Sequence, residues 1–202
     1  MMVEQIRPKP YHTPCAFYNI IYNCVMKLYL VRHGQTDWNL KRIAQGQTDI
    51  PLNQTGIQQA EALRDKLKDY RFDICYASPL KRAAQTAKIA VNDRCPIIFD
   101  NILKERSFGK LESTDPATWP EDLLDLHLNS HLGDCETLQQ TLDRAKCALD
   151  RIKSDQPNSA HILVVAHGAL LMGVHYNIVG YNIDTNFHSF HLHNGDIAEY
   201  DI

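Results

Sequence analysis

The chain predicts an α/β fold: a three-layer α/β/α sandwich around a mostly parallel sheet, with a small cap inserted late in the domain. Short apolar runs alternate with stretches of helical spacing over most of the 202 residues. The runs are too apolar for half-exposed strands and suit strands covered on both faces. Two of them lead into a His-Gly pair, Arg32-His33-Gly34 and Ala166-His167-Gly168.

The first buried strand is Lys27 to Val31. Asn53 then offers an N-cap to a helix whose Ala60, Leu63, Leu67 and Tyr70 share one face. Phe72 to Ala77 reads as the second strand. Ser78-Pro79 reads as a capping hydroxyl with proline in the first turn, opening a helix to about Val91 with Leu80, Ala83, Ala84 and Ala87 inward. Ile97 to Phe99 is the third strand. Residues 106–135 carry no sustained period and form the expected cap, with one short helical patch at Leu123 to Leu128. Leu138, Leu142, Ala145, Leu149 and Ile152 mark a long amphipathic helix. Ile162 to Val165 is a fourth strand, followed by a helix from about Ala169 to Val179 that stops at Gly180. The chain closes on two expected strands joined by an Asn194-Gly195 turn.

Every patterned element follows Met26, so residues 1–25 are expected to be a dispensable extension or a misassigned start, and 26–202 the domain. The extension has neither the unbroken apolar run of a secretory signal nor the length of a membrane span. Cys15, Cys24, Cys75, Cys95, Cys135 and Cys147 include no Cys-x-x-Cys pair, and Cys75 and Cys147 fall inside apolar patterns. A reduced, cytoplasmic setting is expected. A 44% apolar and 22% charged composition excludes wholesale disorder. The net charge of −3 argues against nucleic acid, so an anionic ligand needs a local positive pocket.

In a parallel sheet, ligands sit beyond the carboxyl ends of the strands. The sequence sends Arg32 and His33, Arg82, Glu105 and His167 to that rim. Two guanidiniums match phosphate oxygens with forked donors. Gly34 and Gly168 let backbone approach a ligand closely, and a helix opening beside Gly168 would add its positive end. Within such a pocket a neutral imidazole can take a phosphoryl group covalently. A carboxyl at Glu105 can protonate the departing oxygen and then activate water.

Further matched stretches support the same pocket. They are Leu30-Val31-Arg32-His33-Gly34-Gln35-Thr36-Asp37-Trp38-Asn39, Gln45-Gly46-Gln47-Thr48-Asp49-Ile50-Pro51-Leu52, Ser78-Pro79-Leu80-Lys81-Arg82-Ala83-Ala84-Gln85-Thr86-Ala87, Leu103-Lys104-Glu105-Arg106-Ser107-Phe108-Gly109 and Val165-Ala166-His167-Gly168. Together they resemble the histidine phosphatase superfamily, in the branch that includes the cofactor-dependent phosphoglycerate mutases. The resemblance covers about Met26 to Ile202. It implies that His33 is the phosphorylated nucleophile and Glu105 the proton donor. It further implies that Arg32, Arg82 and His167 hold the phosphoryl group, with Gly34, Asn39, Gln45, Gly46, Gly168 and Ala169 lining the pocket, and that neither metal nor cofactor is needed.

The family's mutases carry a long basic insertion after the acid glutamate. Here Arg106 to Cys135 is short, with Arg106 and Lys110 against Glu112, Asp115, Glu121, Asp122, Asp125 and Asp134. That sign disfavours a second anionic group, and Leu111, Trp119, Leu123, Leu124 and Leu126 offer contacts to an uncharged body. The expected activity is hydrolysis of a small, singly phosphorylated metabolite, with mutase-type phosphoryl transfer and a silent phospho-ligand scaffold as alternatives. Lys110-Leu111-Glu112-Ser113 replaces the family's frequent Trp-Glu-Gly, a departure confined to the cap. His188, His191 and His193 suggest an exposed edge strand rather than a metal site, because no Cys or carboxylate joins them at ligand spacing. His127 and His131, four apart in the irregular cap, likewise do not suggest a metal site.

Overall fold

A computed structural model describes residues 25–120, 122–129 and 132–202. The expected extension, apart from Val25, lies outside the described residues, as does His131. The sheet has five strands: β1 (Lys27–Arg32), β2 (Ile74–Ala77), β3 (Ile97–Phe99), β4 (His161–Ala166) and β5 (Ile197–Asp201). Their order is β3-β2-β4-β1-β5; the first four run parallel and β5 joins β1 antiparallel.

Strand periodicity divides the core in two. Leu28, Leu30, Tyr76, Ile162 and Val164 face α4 (Leu138–Asp155) and α5 (Gly168–Val179) through Ala145, Leu149, Leu170 and Val174. Tyr29, Val31, Cys75, Ala77, Leu163 and Val165 face α2 (Gln54–Lys66) and α3 (Lys81–Val91) through Leu63, Ala83, Ala87 and Ala90. The expected three layers follow from that alternation. Each fully buried leucine contributes about 1.5–3 kcal/mol by its removal from water.

Register positions the site. Val31 stands opposite Val165 and Arg32 opposite Ala166, while Ala77 stands opposite Val165 on the other side. The His33 N–H donates to the Ala166 carbonyl at 3.0 Å, and the Ser78 N–H to the Val165 carbonyl at 3.0 Å. Three strand ends therefore deliver Arg32-His33, His167 and Ser78 at one height.

Helix ends follow side-chain chemistry. Asn53 caps α2 by accepting the Gly56 N–H at 2.9 Å. Thr137 and Gln140 form a reciprocal capping box on α4. A further short helix, α1 (Asp37–Leu40), is capped in the same way by Thr36 and Asn39.

Several expectations are corrected. Helix α3 begins at Lys81 instead of Pro79, and Leu80 occupies its N-cap position. The Ser78 hydroxyl lies against His167, and Asp49 Oδ1 instead accepts the Lys81 N–H at 2.6 Å. The terminal hairpin has only one strand: β5 pairs with β1, while residues 190–193 pair with no strand. His188 stands in a 3-10 turn, Phe187–Ser189, so the expected edge strand of histidines does not form. Residues 123–128 make turns rather than a helix. Tyr70 lies beyond the end of α2, and Cys147 is exposed on α4. Among the described residues no helix is long and apolar enough to cross a membrane.

Candidate active site

The sequence-predicted residues meet at the carboxyl edge of the sheet. His33 is 2% exposed, and its Nδ1 lies 2.7 Å from the Gly34 carbonyl. A carbonyl only accepts, so Nδ1 carries the proton and Nε2 keeps its lone pair. Burial, followed by the charges of Arg82 and Arg32, pushes the His33 pKa well below its ordinary value. The ring is therefore neutral at pH 7, with an unprotonated lone pair on Nε2.

Arg82 is fully buried. It donates from Nη1 to the Thr48 carbonyl at 2.8 Å, from Nη2 to the Gly46 carbonyl at 2.7 Å and from Nε to His167 Nδ1 at 3.2 Å. Burial lowers its pKa to about 10, which leaves it cationic at neutral pH. Arg32 donates from Nη1 to the Leu192 carbonyl at 2.7 Å and approaches His191 Nε2 at 3.1 Å. Its buried Nε has no partner among the described residues. The His167 ring lies 5.1 Å from that of His33, and burial together with Arg82 holds its pKa well below normal.

Glu105 occupies the N-terminus of α5. Its Oε1 accepts the Leu170 N–H at 3.1 Å and the Arg106 N–H at 2.9 Å, and its Oε2 accepts the Ala169 N–H at 3.3 Å. The positive helix end expected to face the ligand is thus joined to the carboxylate. Gly168 leaves room beside it: a Cβ there would stand 3.6 Å from Arg32 Cζ and 3.8 Å from Glu105 Oε2.

Gly34 also departs from expectation. Its N–H donates to Thr86 Oγ1 at 3.0 Å, and a Cβ would meet the Gly56 carbonyl oxygen at 2.4 Å. Its role is close packing against α2 and orientation of His33, with no N–H left for a ligand. Asn39 and Gln45 both direct amide oxygens to Thr36 Oγ1, each at 3.0 Å.

Two cavities adjoin at this point. The smaller, about 150 Å³, is lined by Arg32, His33, Asn39, Gln45, Gly46, Arg82 and Glu105 among others. The larger, about 480 Å³, is walled by Phe108, Trp119, Leu124, Met172, Phe187 and Phe190, and also touches Arg32, Glu105, Arg106, Asp122, Gly168, Ala169, His188 and His191. Arg32 and Glu105 border both.

Their surroundings include groups whose roles the sequence did not reveal. Glu112 accepts the N–H groups of Gln47, Thr48 and Phe108 and the Thr48 hydroxyl, tying the loop after Gln45 to the cap. Arg106, one of the two bases expected in the cap, is buried and donates to the Glu136 and Leu123 carbonyls, while its Nη2 has no partner among the described residues. Arg144 forms a two-pronged pair with Glu136, at 2.8 and 2.7 Å, and donates to the carbonyls of Ile102, Lys104 and Glu105. That clamp fixes the backbone carrying Glu105. His188 pairs with Asp122 at 2.7 Å, and His127 with Asp184 at 3.1 Å.

Residues 28–202 match the family model described as histidine phosphatase superfamily, branch 1. The chain belongs to the histidine phosphatase superfamily. Among its superfamily relatives, an uncharacterized phosphatase of Bacillus subtilis, PhoE, is 40% identical over 153 residues, covering 75% of this chain and 76% of that protein. The Escherichia coli protein GpmB, described as a probable phosphoglycerate mutase, is 34% identical over 155 residues, covering 73% and 72%. The phosphoserine phosphatase of Entamoeba histolytica, solved with 3-phosphoglyceric acid, is similar with a TM-score of 0.71 and 31% identity, covering 86% of this chain and 89% of that one.

Proposed function

We propose that this chain is a phosphomonoesterase that hydrolyses a small phosphorylated metabolite through a phosphohistidine on His33. The observation that carries the reading is the fixed tautomer: Nδ1 held by the Gly34 carbonyl, with Nε2 free beside two guanidiniums. Nε2 attacks phosphorus as the bond to the ester oxygen breaks. Glu105, entering the step protonated, gives that oxygen its proton from the place where the two cavities meet. Its carboxylate then takes a proton from water, whose oxygen attacks phosphorus and breaks the P–N bond. Inorganic phosphate leaves, and His33 regains its starting form. Arg32 and Arg82 hold the developing charge, with Asn39, Gln45 and Gly46 around the transferring group. No step calls for a metal.

The smaller cavity takes the phosphoryl group and the larger one the rest of the ester. Its walls are chiefly aromatic and aliphatic. This favours an uncharged, partly apolar body and water as the acceptor. The likeness to GpmB supports mutase-type transfer as the second reading. A phosphate-release screen over a panel of phosphorylated metabolites, with and without a chelator, tests both. Hydrolysis that is chelator-insensitive and vanadate-sensitive is expected. Isomerisation of phosphoglycerate dependent on a bisphosphate primer would favour the mutase, and ester binding without turnover would leave only a scaffold.

A further inference from the structure

We propose that Ser78 is a positioning residue that lets His167 move its single ring proton from Nε2 to Nδ1 when a phosphoryl group occupies the pocket. This rests on the phosphatase reading. Ser78 is fully buried at the end of β2, where its Oγ lies 2.8 Å from His167 Nε2 and accepts the Leu80 N–H at 3.3 Å. On the other side of the ring, Arg82 Nε–H points at Nδ1 from 3.2 Å.

Arginine only donates, so in this geometry Nδ1 must present a lone pair. Burial and the neighbouring charge of Arg82 keep the ring neutral, which places its one proton on Nε2 and directs it to Ser78 Oγ. In that tautomer His167 has no N–H to offer a phosphoryl oxygen. Both acceptor positions of the Ser78 oxygen are then filled, by Nε2–H and by the Leu80 N–H.

A phosphoryl oxygen in the pocket reverses the arrangement. It accepts Arg82 Nε–H, and Nδ1 no longer faces a donor that needs its lone pair. The ring trades its Nε2 proton for one at Nδ1 by exchange with solvent, so it stays neutral. Nδ1–H then donates to the phosphoryl oxygen, and the Ser78 O–H rotates to donate to Nε2. A hydroxyl fits this role because the same atom accepts in one state and donates in the other. A carboxylate at this place would hold the proton on Nε2 permanently.

The test uses the full chain, ¹⁵N-labelled in histidine, with ring signals of His167 recorded at neutral pH without and with vanadate. The expected result is protonation at Nε2 without vanadate and at Nδ1 with it. Ser78→Ala should weaken vanadate inhibition and lower kcat/KM roughly ten- to a hundredfold, the size of one charge-assisted hydrogen bond. Ser78→Thr, which keeps the hydroxyl, should recover most of both. Vanadate binding with the proton still on Nε2, or with both nitrogens protonated, overturns the inference while leaving the phosphatase intact. So does a folded Ser78→Ala protein with unchanged affinity. If Ser78→Ala fails to fold, the wild-type spectra alone decide. A wild-type chain that neither binds vanadate nor releases phosphate from any ester removes the phosphatase reading, and this inference with it.

Discussion

Replacing Glu105 by glutamine separates its bracket on α5 from the proton donation proposed for it. The carboxylate accepts three N–H groups, two on Oε1 and one, from Ala169 at 3.3 Å, on Oε2. Glutamine keeps Oε1 but turns an NH₂ toward the Ala169 N–H. Leaving that one donor unsatisfied costs about 1–3 kcal/mol of stability, whatever the substrate. Loss of a general acid costs roughly 10²–10⁴ in rate, and only where the leaving oxygen needs a proton. First-turnover release of the leaving group isolates the phosphorylation step from later hydrolysis. An alkyl phosphate should therefore lose roughly 10²–10⁴ in that step. An aryl phosphate whose phenolate leaves unprotonated should lose less than about tenfold. Equal losses on both esters would refute the acid assignment and leave Glu105 as a structural bracket.

Two further outcomes follow from the same geometry. His33 and His167 are held neutral in the folded protein, whereas unfolding restores pKa values near 6.5, so the unfolded chain binds more protons as pH falls below that value. Their contribution is fully present above about pH 7 and is lost on acidification, at up to about 1.4 kcal/mol per pH unit for each histidine. Urea midpoints between pH 7.5 and 5.5 should show this slope, and His167→Ala should remove about half of it; an unchanged slope would contradict the burial argument. Glu112→Ala removes three hydrogen bonds from the loop whose Gly46 and Thr48 carbonyls hold Arg82, and a fourth from the Phe108 N–H. It should lower stability by about 2–4 kcal/mol and raise KM more than it lowers kcat. Unchanged thermal stability and KM would show that this loop does not depend on the carboxylate.

The sheet and the helices α2, α4 and α5 were legible because burial on the sheet and helix periodicity leave direct patterns, as in Leu138, Leu142, Ala145, Leu149 and Ile152. The rim residues were legible because strand ends in a parallel sheet converge whatever the tertiary detail. What was misread depends on partners distant in sequence. The Ser78 hydroxyl faces His167, 89 positions away, so it does not cap the helix that local propensity assigns to it. Residues 191 and 192 lie against Arg32, and Asn194 donates to the His33 carbonyl at 2.9 Å, so the apparent hairpin supports the site rather than a sheet edge. Gly34 suggests close approach of the backbone to a ligand, yet Thr86 takes its N–H. Glu112 looks like one more acidic group of the cap because nothing near it in sequence marks the three backbone N–H groups it binds.

The central claim is that His33 Nε2 carries the phosphoryl group between ester and water. Rapid quenching during turnover of a phosphorus-labelled ester, followed by mapping of the labelled peptide, tests it most directly. The account predicts an acid-labile, base-stable adduct on the peptide containing His33, absent from His33→Ala. A base-labile adduct, or one that survives in His33→Ala, would contradict it.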